Sequence, residues 1–129
     1  TGNWKRQPEI KNYASENIIF TGFLSNKKFS SLLANANAII TGTKREYTVL
    51  MSGWEAVAFV KPLAVTATTT LKSLFGNYAT YYDWKNPESI ANAIEKITTT
   101  KPNMEAHKKL EKQTIESFNR LSEKIKELF

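Results

Sequence analysis

The stretch REYTVLMSGWEAVAFVKPLAVT, residues 45–66, decides the fold of this 129-residue chain. Its middle part, from Val49 to Phe59, is almost entirely apolar, and Thr48 before it is a residue type that commonly caps a helix. Lys61-Pro62 ends the run, because the residue before a proline avoids the helical conformation. The PLAVT segment, residues 62–66, is a short apolar run typical of a buried strand. The stretch therefore predicts a helix that leads directly into a strand.

The same alternation continues on both sides of this stretch. Three more apolar runs predict strands, namely NIIF (17–20), AIIT (38–41) and ATYYD (79–83). Apolar residues at helical spacing predict helices over 27–36, 69–76, 87–100 and 104–129. Strands that are apolar on both faces and alternate with helices indicate a parallel sheet covered by helices on both sides. We therefore expect a Rossmann-like α/β fold in which residues 1–103 and the helix 104–129 belong to one domain.

The composition excludes several kinds of chemistry. The chain has no cysteine, which rules out disulfides and thiolate metal sites, and its single histidine, His107, argues against a zinc site or a histidine-based triad. No apolar run reaches 18 residues and no signal peptide is recognised, so we expect a cytoplasmic protein without a membrane span. The net charge of +6 favours anionic partners. Nucleic acid is not expected among them, because the basic residues do not cluster with exposed aromatic residues in one stretch.

Threonine and glycine follow the predicted strands. Ligands of open α/β sheets bind beyond the carboxyl ends of the strands. Here those ends carry TGN (1–3), TGFLSN (21–26), TGTKREYT (41–48) and TATTT (66–70). The helix that begins near Val49 also directs its free amides toward this edge, which suits a phosphate group. The same residues are common in ordinary turns, so a phosphate site and plain turn chemistry are both open at this point.

Two carboxylates flank this helix start. Glu55 lies two turns into the apolar helix, roughly 10 Å behind its first turn, and Glu46 precedes the helix. An elongated ligand with its charged centre on the first-turn amides fits between them, as a nucleoside diphosphate sugar does. A carboxylate can hold both hydroxyl groups of a ribose. The alternative is that Glu55 forms a surface ion pair with Lys61 or Arg45.

Three segments resemble motifs of the GT-B glycosyltransferases of family 4 (glycosyl transferases group 1). Residues 17–41 resemble the family's strand, F-x-G loop, helix and next strand, with Asn37 where aspartate is usual. Residues 46–66 resemble its Glu-x7-Glu helix and the continuation after it, although eight residues separate the two glutamates and Val60 replaces the usual glycine. Residues 81–94 resemble its closing D-x-x-x-LA-x-AI segment.

The resemblance implies the donor-binding half of a retaining enzyme. Glu46 would be catalytic and face the donor sugar, Glu55 would hold the ribose, and the amides of Thr48, Val49 and Leu50 would meet the diphosphate. The loop Gly22-Phe23-Leu24 would line the base. The donor site implied in this way comprises Gly2, Asn3, Gly22, Phe23, Leu24, Thr48, Val49, Leu50 and Glu55, with Glu46 as the catalytic residue. No metal and no cofactor are expected, since the nucleotide-sugar is a substrate.

The resemblance also implies partners that this chain does not contain. A glycan or lipid-linked acceptor would bind an N-terminal domain, so the chain alone is expected to be inactive. Such enzymes build polysaccharides in the cytoplasm, and the full-length enzyme would associate peripherally with the inner face of the membrane. Part of the apolar stripe on the helix 104–129 would be uncovered without that domain, which predicts fraying or self-association. The alternative function is a non-catalytic nucleotide- or ligand-binding α/β module.

Overall fold

The structure is a computed structural model that describes residues 4–128, except for the side chain of Trp4. It divides the chain into two compact units, Thr1–Asn35 and Ala36–Phe129. The described part of the first unit contains two 3-10 helices, Trp4–Arg6 and Pro8–Tyr13, and the helix α1, Asn26–Asn35.

The predicted strand 17–20 is wrong. In the described part of the first unit, this segment forms an isolated antiparallel bridge between Ser15 and Ile18 and not a strand. The side chain of Ile19 is 82% exposed. A short apolar run becomes a strand only where a neighbouring strand pairs with its backbone. The sequence of the run does not show whether such a partner exists.

The second unit alternates strands and helices as expected. Its elements are β1 Ile39–Thr41, α2 Met51–Ala58, β2 Leu63–Thr66, α3 Thr69–Phe75, β3 Ala79–Tyr82, α4 Pro87–Thr99 and α5 Met104–Leu128. A 3-10 turn, Gly76–Tyr78, links α3 to β3. The three strands are parallel in the order β1-β2-β3, with Leu63 aligned to Ile39 on one side and to Ala79 on the other. The predicted α/β fold with a parallel sheet is confirmed.

Helices cover both faces of the sheet. The central strand β2 is buried along its whole length. Its Leu63 and Val65 join a cluster with residues of α2, α3 and α5, whereas Ala64 joins a second cluster with Ala93 and Ile97 of α4. Successive residues of a strand point to opposite faces, so the two clusters lie on opposite sides of the sheet.

Helix α2 ends in a turn that usually requires glycine. The N–H of Lys61 donates to the carbonyl of Ala56 (2.9 Å), and the N–H of Val60 donates to the carbonyl of Val57 (3.0 Å). This pair of bonds defines a Schellman motif, whose left-handed residue is here Val60 with a φ of 51°. A β-branched residue in this region is a genuine outlier.

Among the described residues, the buried contacts of the final helix lie in its first half. Leu110 is buried in the core, and His107 Nε2 lies 3.0 Å from the carbonyl oxygen of Val57. Farther along, the large apolar side chains are 48–77% exposed, namely Ile115, Phe118, Leu121, Ile125 and Leu128. Fraying or self-association of this part stays a prediction. In the described part of the chain, no helix has both the length and the apolar character needed to cross a membrane.

Candidate functional site

The carboxyl ends of the three strands are tied together by polar contacts. The Tyr82 hydroxyl, at the end of β3, donates to the carbonyl of Thr41 at the end of β1 (3.0 Å). The N–H of Thr43 donates to Thr66 Oγ1 at the end of β2 (3.1 Å). A side chain at Gly42 would overlap the Tyr82 hydroxyl, which is why glycine follows β1. Burial raises the pKa of Tyr82, so its hydroxyl stays a donor to higher pH than that of an exposed tyrosine. The chain therefore leaves β1 along a fixed path.

Helix α2 begins later than predicted, and Thr48 is not its N-cap. The N-cap is Leu50, which has an extended backbone and no side-chain capping bond. Two β-branched residues in succession, Thr48 and Val49, favour extended over helical backbone and delay the start. Instead, the hydroxyl oxygen of Ser52, in the first turn of α2, lies 2.6 Å from the hydroxyl oxygen of Thr41 at the end of β1. This contact fixes the start of α2 at the carboxyl edge of the sheet.

The Glu55 side chain is half-buried and has no partner among the residues that the structure describes. In the described part of the chain, no hydrogen bond or ion pair involves its carboxylate, so the alternative of an ion pair with Lys61 or Arg45 is not observed. Ser52 and Glu55 are three residues apart in α2 and therefore share one face of the helix. That face is the one that contacts the end of β1.

The Glu46 carboxylate is bound to backbone amides. Its Oε1 accepts hydrogen bonds from the N–H groups of Thr69 and Thr70, the latter at 3.1 Å. Those groups open α3, where Thr68 Oγ1 also accepts from the N–H of Leu71 (3.2 Å). Negative charge at a helix start is stabilising, so Glu46 acts as a cap supplied from a distant part of the chain. Sequence reasoning missed this role because cap signals are local.

An open cleft lies beside this cap. It has a volume of about 400 Å³ and is lined by Glu46, Tyr47, Thr69, Thr70, Ser73 and Leu74. The predicted catalytic carboxylate thus borders a cavity, although its Oε1 atom faces the amides of α3.

The other predicted site residues fall into three groups. Thr48, Val49 and Leu50 lie in the segment between Glu46 and α2, as expected. Gly22, Phe23 and Leu24 belong to the first unit, where Gly22 has a left-handed φ of 66° and Phe23 is 81% exposed. Gly2 and Asn3 lie outside the described residues. The structure therefore brings together the residues from Glu46 to Glu55.

Sequence reasoning also missed a basic and aromatic cluster at the carboxyl edge. Lys44 Nζ lies 4.7 Å from the centre of the Trp84 ring, and Lys85 Nζ lies 5.4 Å from it. Lys44 follows β1 and Trp84 follows β3, so only the fold brings them together. The local signal available was a lysine next to a tryptophan at 84–85.

Candidate metal ligands are not grouped in the region that the structure describes. No three histidine or acidic side chains there are close enough to hold a metal ion. No protein-family model, curated protein or solved structure matches this chain. The resemblance to family 4 glycosyltransferases therefore stays a prediction from the sequence motifs.

Proposed function

We propose that this chain is the donor-binding half of a retaining glycosyltransferase. The enzyme would transfer a sugar from a nucleotide-diphosphate sugar to a glycan or lipid-linked acceptor. The observation that carries the proposal is the half-buried side chain of Glu55, whose carboxylate has no partner among the described residues and lies on the face of α2 that meets the end of β1. The oxygens of this carboxylate are accessible to solvent and to a ligand, since the described residues contain no buried side-chain oxygen without a hydrogen bond. Hydroxyl groups of a ribose would supply the missing hydrogen bonds.

The start of α2 suits the diphosphate of the same ligand. The N–H groups of Val49, Leu50 and Met51 make no hydrogen bond within the described part of the chain. Helix-start amides with the positive end of the dipole bind phosphate oxygens. Because α2 begins at Met51, Glu55 lies about 6 Å along the axis from the first turn, rather than the 10 Å expected from the sequence. That shorter distance is close to the spacing of ribose and diphosphate within a nucleotide.

The backbone at Val60 supports the likeness to family 4. The family motif has glycine at this position, and glycine is the residue for which a left-handed φ is least costly. Here φ is 51° although the residue is valine. The turn conformation that the motif requires is therefore present without its usual residue.

A second candidate function is a non-catalytic nucleotide-binding module. The observation that favours it is the bonding of the Glu46 carboxylate to the α3 amides, which a carboxylate facing a donor sugar would have to leave. Replacing Glu46 by Gln separates the two functions in a longer protein that includes the acceptor domain. Loss of sugar transfer with retained nucleotide binding indicates a catalytic role, and retained transfer indicates a structural one.

The test of donor binding is an NMR titration of this chain with UDP, GDP and ADP. We expect amide shifts in residues 46–55 with one of the three bases and roughly tenfold weaker binding in Glu55→Gln, the loss of one charge-assisted pair of hydrogen bonds. The matched control is Glu95→Gln, an exposed glutamate of α4. An equal change of nucleotide affinity in both variants would show that the effect comes from net charge and not from a contact with Glu55. Absence of shifts with all three nucleotides at millimolar concentration would refute the proposal.

A further inference from the structure

Two positive charges share one aromatic ring at the carboxyl edge of the sheet. The ammonium groups of Lys44 and Lys85 lie 4.7 and 5.4 Å from the centre of the Trp84 ring. A cation is attracted to the face of an indole ring, which is the most favourable aromatic partner. The ring carries no net charge. It therefore holds the ammonium groups in place without neutralising them, which a carboxylate would do.

Both lysines extend from restrained backbone. Lys44 stands between Thr43, whose N–H donates to Thr66 Oγ1 at 3.1 Å, and Arg45, whose N–H donates to Thr43 Oγ1 at 3.1 Å. The N–H of Lys85 donates to Asp83 Oδ1 at 2.9 Å. Restrained attachment points reduce the conformational entropy that a bound ligand must remove from the lysines.

The carboxylates nearest to these lysines along the chain accept hydrogen bonds from backbone amides, not from the ammonium groups. Glu46 accepts from the amides that open α3, and Asp83 accepts from the N–H of Lys85. Within the described residues, neither Lys44 nor Lys85 forms an ion pair, whereas Lys112 and Glu116 do. Trp84 is 39% exposed as a residue, so solvent molecules and ligands can reach the cluster. Two cations held at one exposed ring attract a ligand with at least two negative charges.

We propose that Trp84, Lys44 and Lys85 form a binding site for a phosphate-bearing ligand, with a diphosphate as the best match in charge. The site lies beyond the carboxyl ends of β1 and β3, where ligands of parallel sheets bind. The diphosphate of a nucleotide-sugar is one source, and only this assignment rests on the proposed function. A phosphate ester of another molecule is the second source. The lysines bind the phosphate oxygens, and the indole ring orients the lysines.

The test uses inorganic pyrophosphate as the probe. We expect the indole N–H signal of Trp84 to shift on titration and Lys44→Gln/Lys85→Gln to bind about tenfold more weakly. The control is Lys108→Gln/Lys109→Gln, which removes the same charge from exposed positions of α5. We expect less than about twofold weakening there, since exposed charges are largely screened beyond roughly 10 Å at 0.1 M salt. Equal weakening in both double variants, or an unshifted Trp84 signal, would overturn the proposal.

Trp84→Leu tests the part played by the ring. This variant keeps every charge, so a purely electrostatic attraction would remain at full strength. We expect pyrophosphate to bind severalfold more weakly, because the two ammonium groups lose their common support. Unchanged affinity in a folded variant would remove tryptophan from the site and contradict the proposal as stated.

Titration with UDP and glucose 1-phosphate identifies the source of the phosphate. Two results together would show that the site holds the donor diphosphate. The lysine double variant binds UDP more weakly, and Glu55→Gln binds UDP more weakly but pyrophosphate with unchanged affinity. If glucose 1-phosphate depends on the lysines and UDP does not, the ligand is a different phosphate ester. Pyrophosphate binding that depends on the lysines while UDP is insensitive to Glu55→Gln would sustain this site and refute the donor function. The two proposals therefore fail separately.

Discussion

Glu46 and Glu55 stand on either side of the start of α2 and differ in an instructive way. The Glu46 side chain is exposed, yet its carboxylate binds two backbone amides of α3. The Glu55 side chain is half-buried, yet its carboxylate has no partner within the described chain. The exposed group thus stabilises the fold, and the half-buried side chain leaves its carboxylate oxygens open to solvent or a ligand. Hydrogen bonds, rather than exposure, distinguish the structural carboxylate from the candidate functional one.

The largest expected effect comes from Phe75 of α3, which packs against α2. Helix α2 carries Glu55, and the first amides of α3 bind Glu46. A side chain at Gly53 of α2 would lie 2.6 Å from Phe75 Cζ of α3, so the helices are in close contact. We expect Phe75→Ala to lower the free energy of unfolding by about 3–5 kcal/mol, measured by urea denaturation. As a check on this contact, Gly53→Ala should lower the free energy of unfolding of the natural chain. It should have little effect in the Phe75→Ala variant, where the ring that the new methyl group would meet is absent. Equal effects of Gly53→Ala in both backgrounds would contradict the contact.

The Glu46 cap is expected to matter for stability by a smaller amount. Glu46→Ala removes the acceptor from two helix-start amides and should cost about 1–2 kcal/mol, as loss of an N-cap does. Glu46→Gln keeps one acceptor oxygen and should cost less than half as much. Denaturant unfolding of both variants measures the difference. If Glu46→Ala is as stable as the natural chain, the two carboxylates do not differ as described.

Val60 tests the end of the helix that carries Glu55. A residue with a Cβ costs roughly 1–2 kcal/mol in the left-handed region. Glycine avoids this strain, but it loses more conformational entropy on folding, which offsets part of the gain. We therefore expect Val60→Gly to raise the free energy of unfolding by about 1 kcal/mol. Val60→Ala keeps the Cβ and serves as the control, with little gain expected. A loss of stability in Val60→Gly would show that the valine side chain contributes more than its backbone costs.

The smallest expected effect on stability belongs to Glu55 itself. Because its carboxylate makes no bond within the described chain and its oxygens reach solvent, Glu55→Gln should change the free energy of unfolding by less than about 0.5 kcal/mol. The same variant should lose nucleotide affinity. A stability loss comparable to that of Glu46→Ala would make Glu55 structural and remove the basis of the proposed donor site.

Much of the second unit was predictable because its signals are local. The apolar runs before Thr41, Thr66 and Tyr82 are strands, and Pro87 and Gly76 mark a helix start and a helix end as predicted. Boundaries failed where neighbouring residues opposed the signal. Thr48 is a good cap type, but the β-branched Val49 keeps the backbone extended for two more residues.

The candidate site was predictable only in part. Glu55 stands out from the sequence as a carboxylate in an apolar helix, whatever its surroundings. The partner of Glu46 does not, since the α3 amides are 23 residues away along the chain. The association of Lys44 with Trp84 is likewise absent from any single stretch.

In the second unit, the sequence by itself determined the succession of strands and helices along the chain, the parallel sheet and the unusual position of Glu55. Periodicity and residues that begin or end helices act over one or two turns, so they can be read without the fold. Only the tertiary structure decided that Glu46 caps α3 and that Lys44 meets Trp84. Both contacts cross the carboxyl edge of the sheet between segments that follow different strands. Their existence depends on strand order and register, which no local pattern encodes.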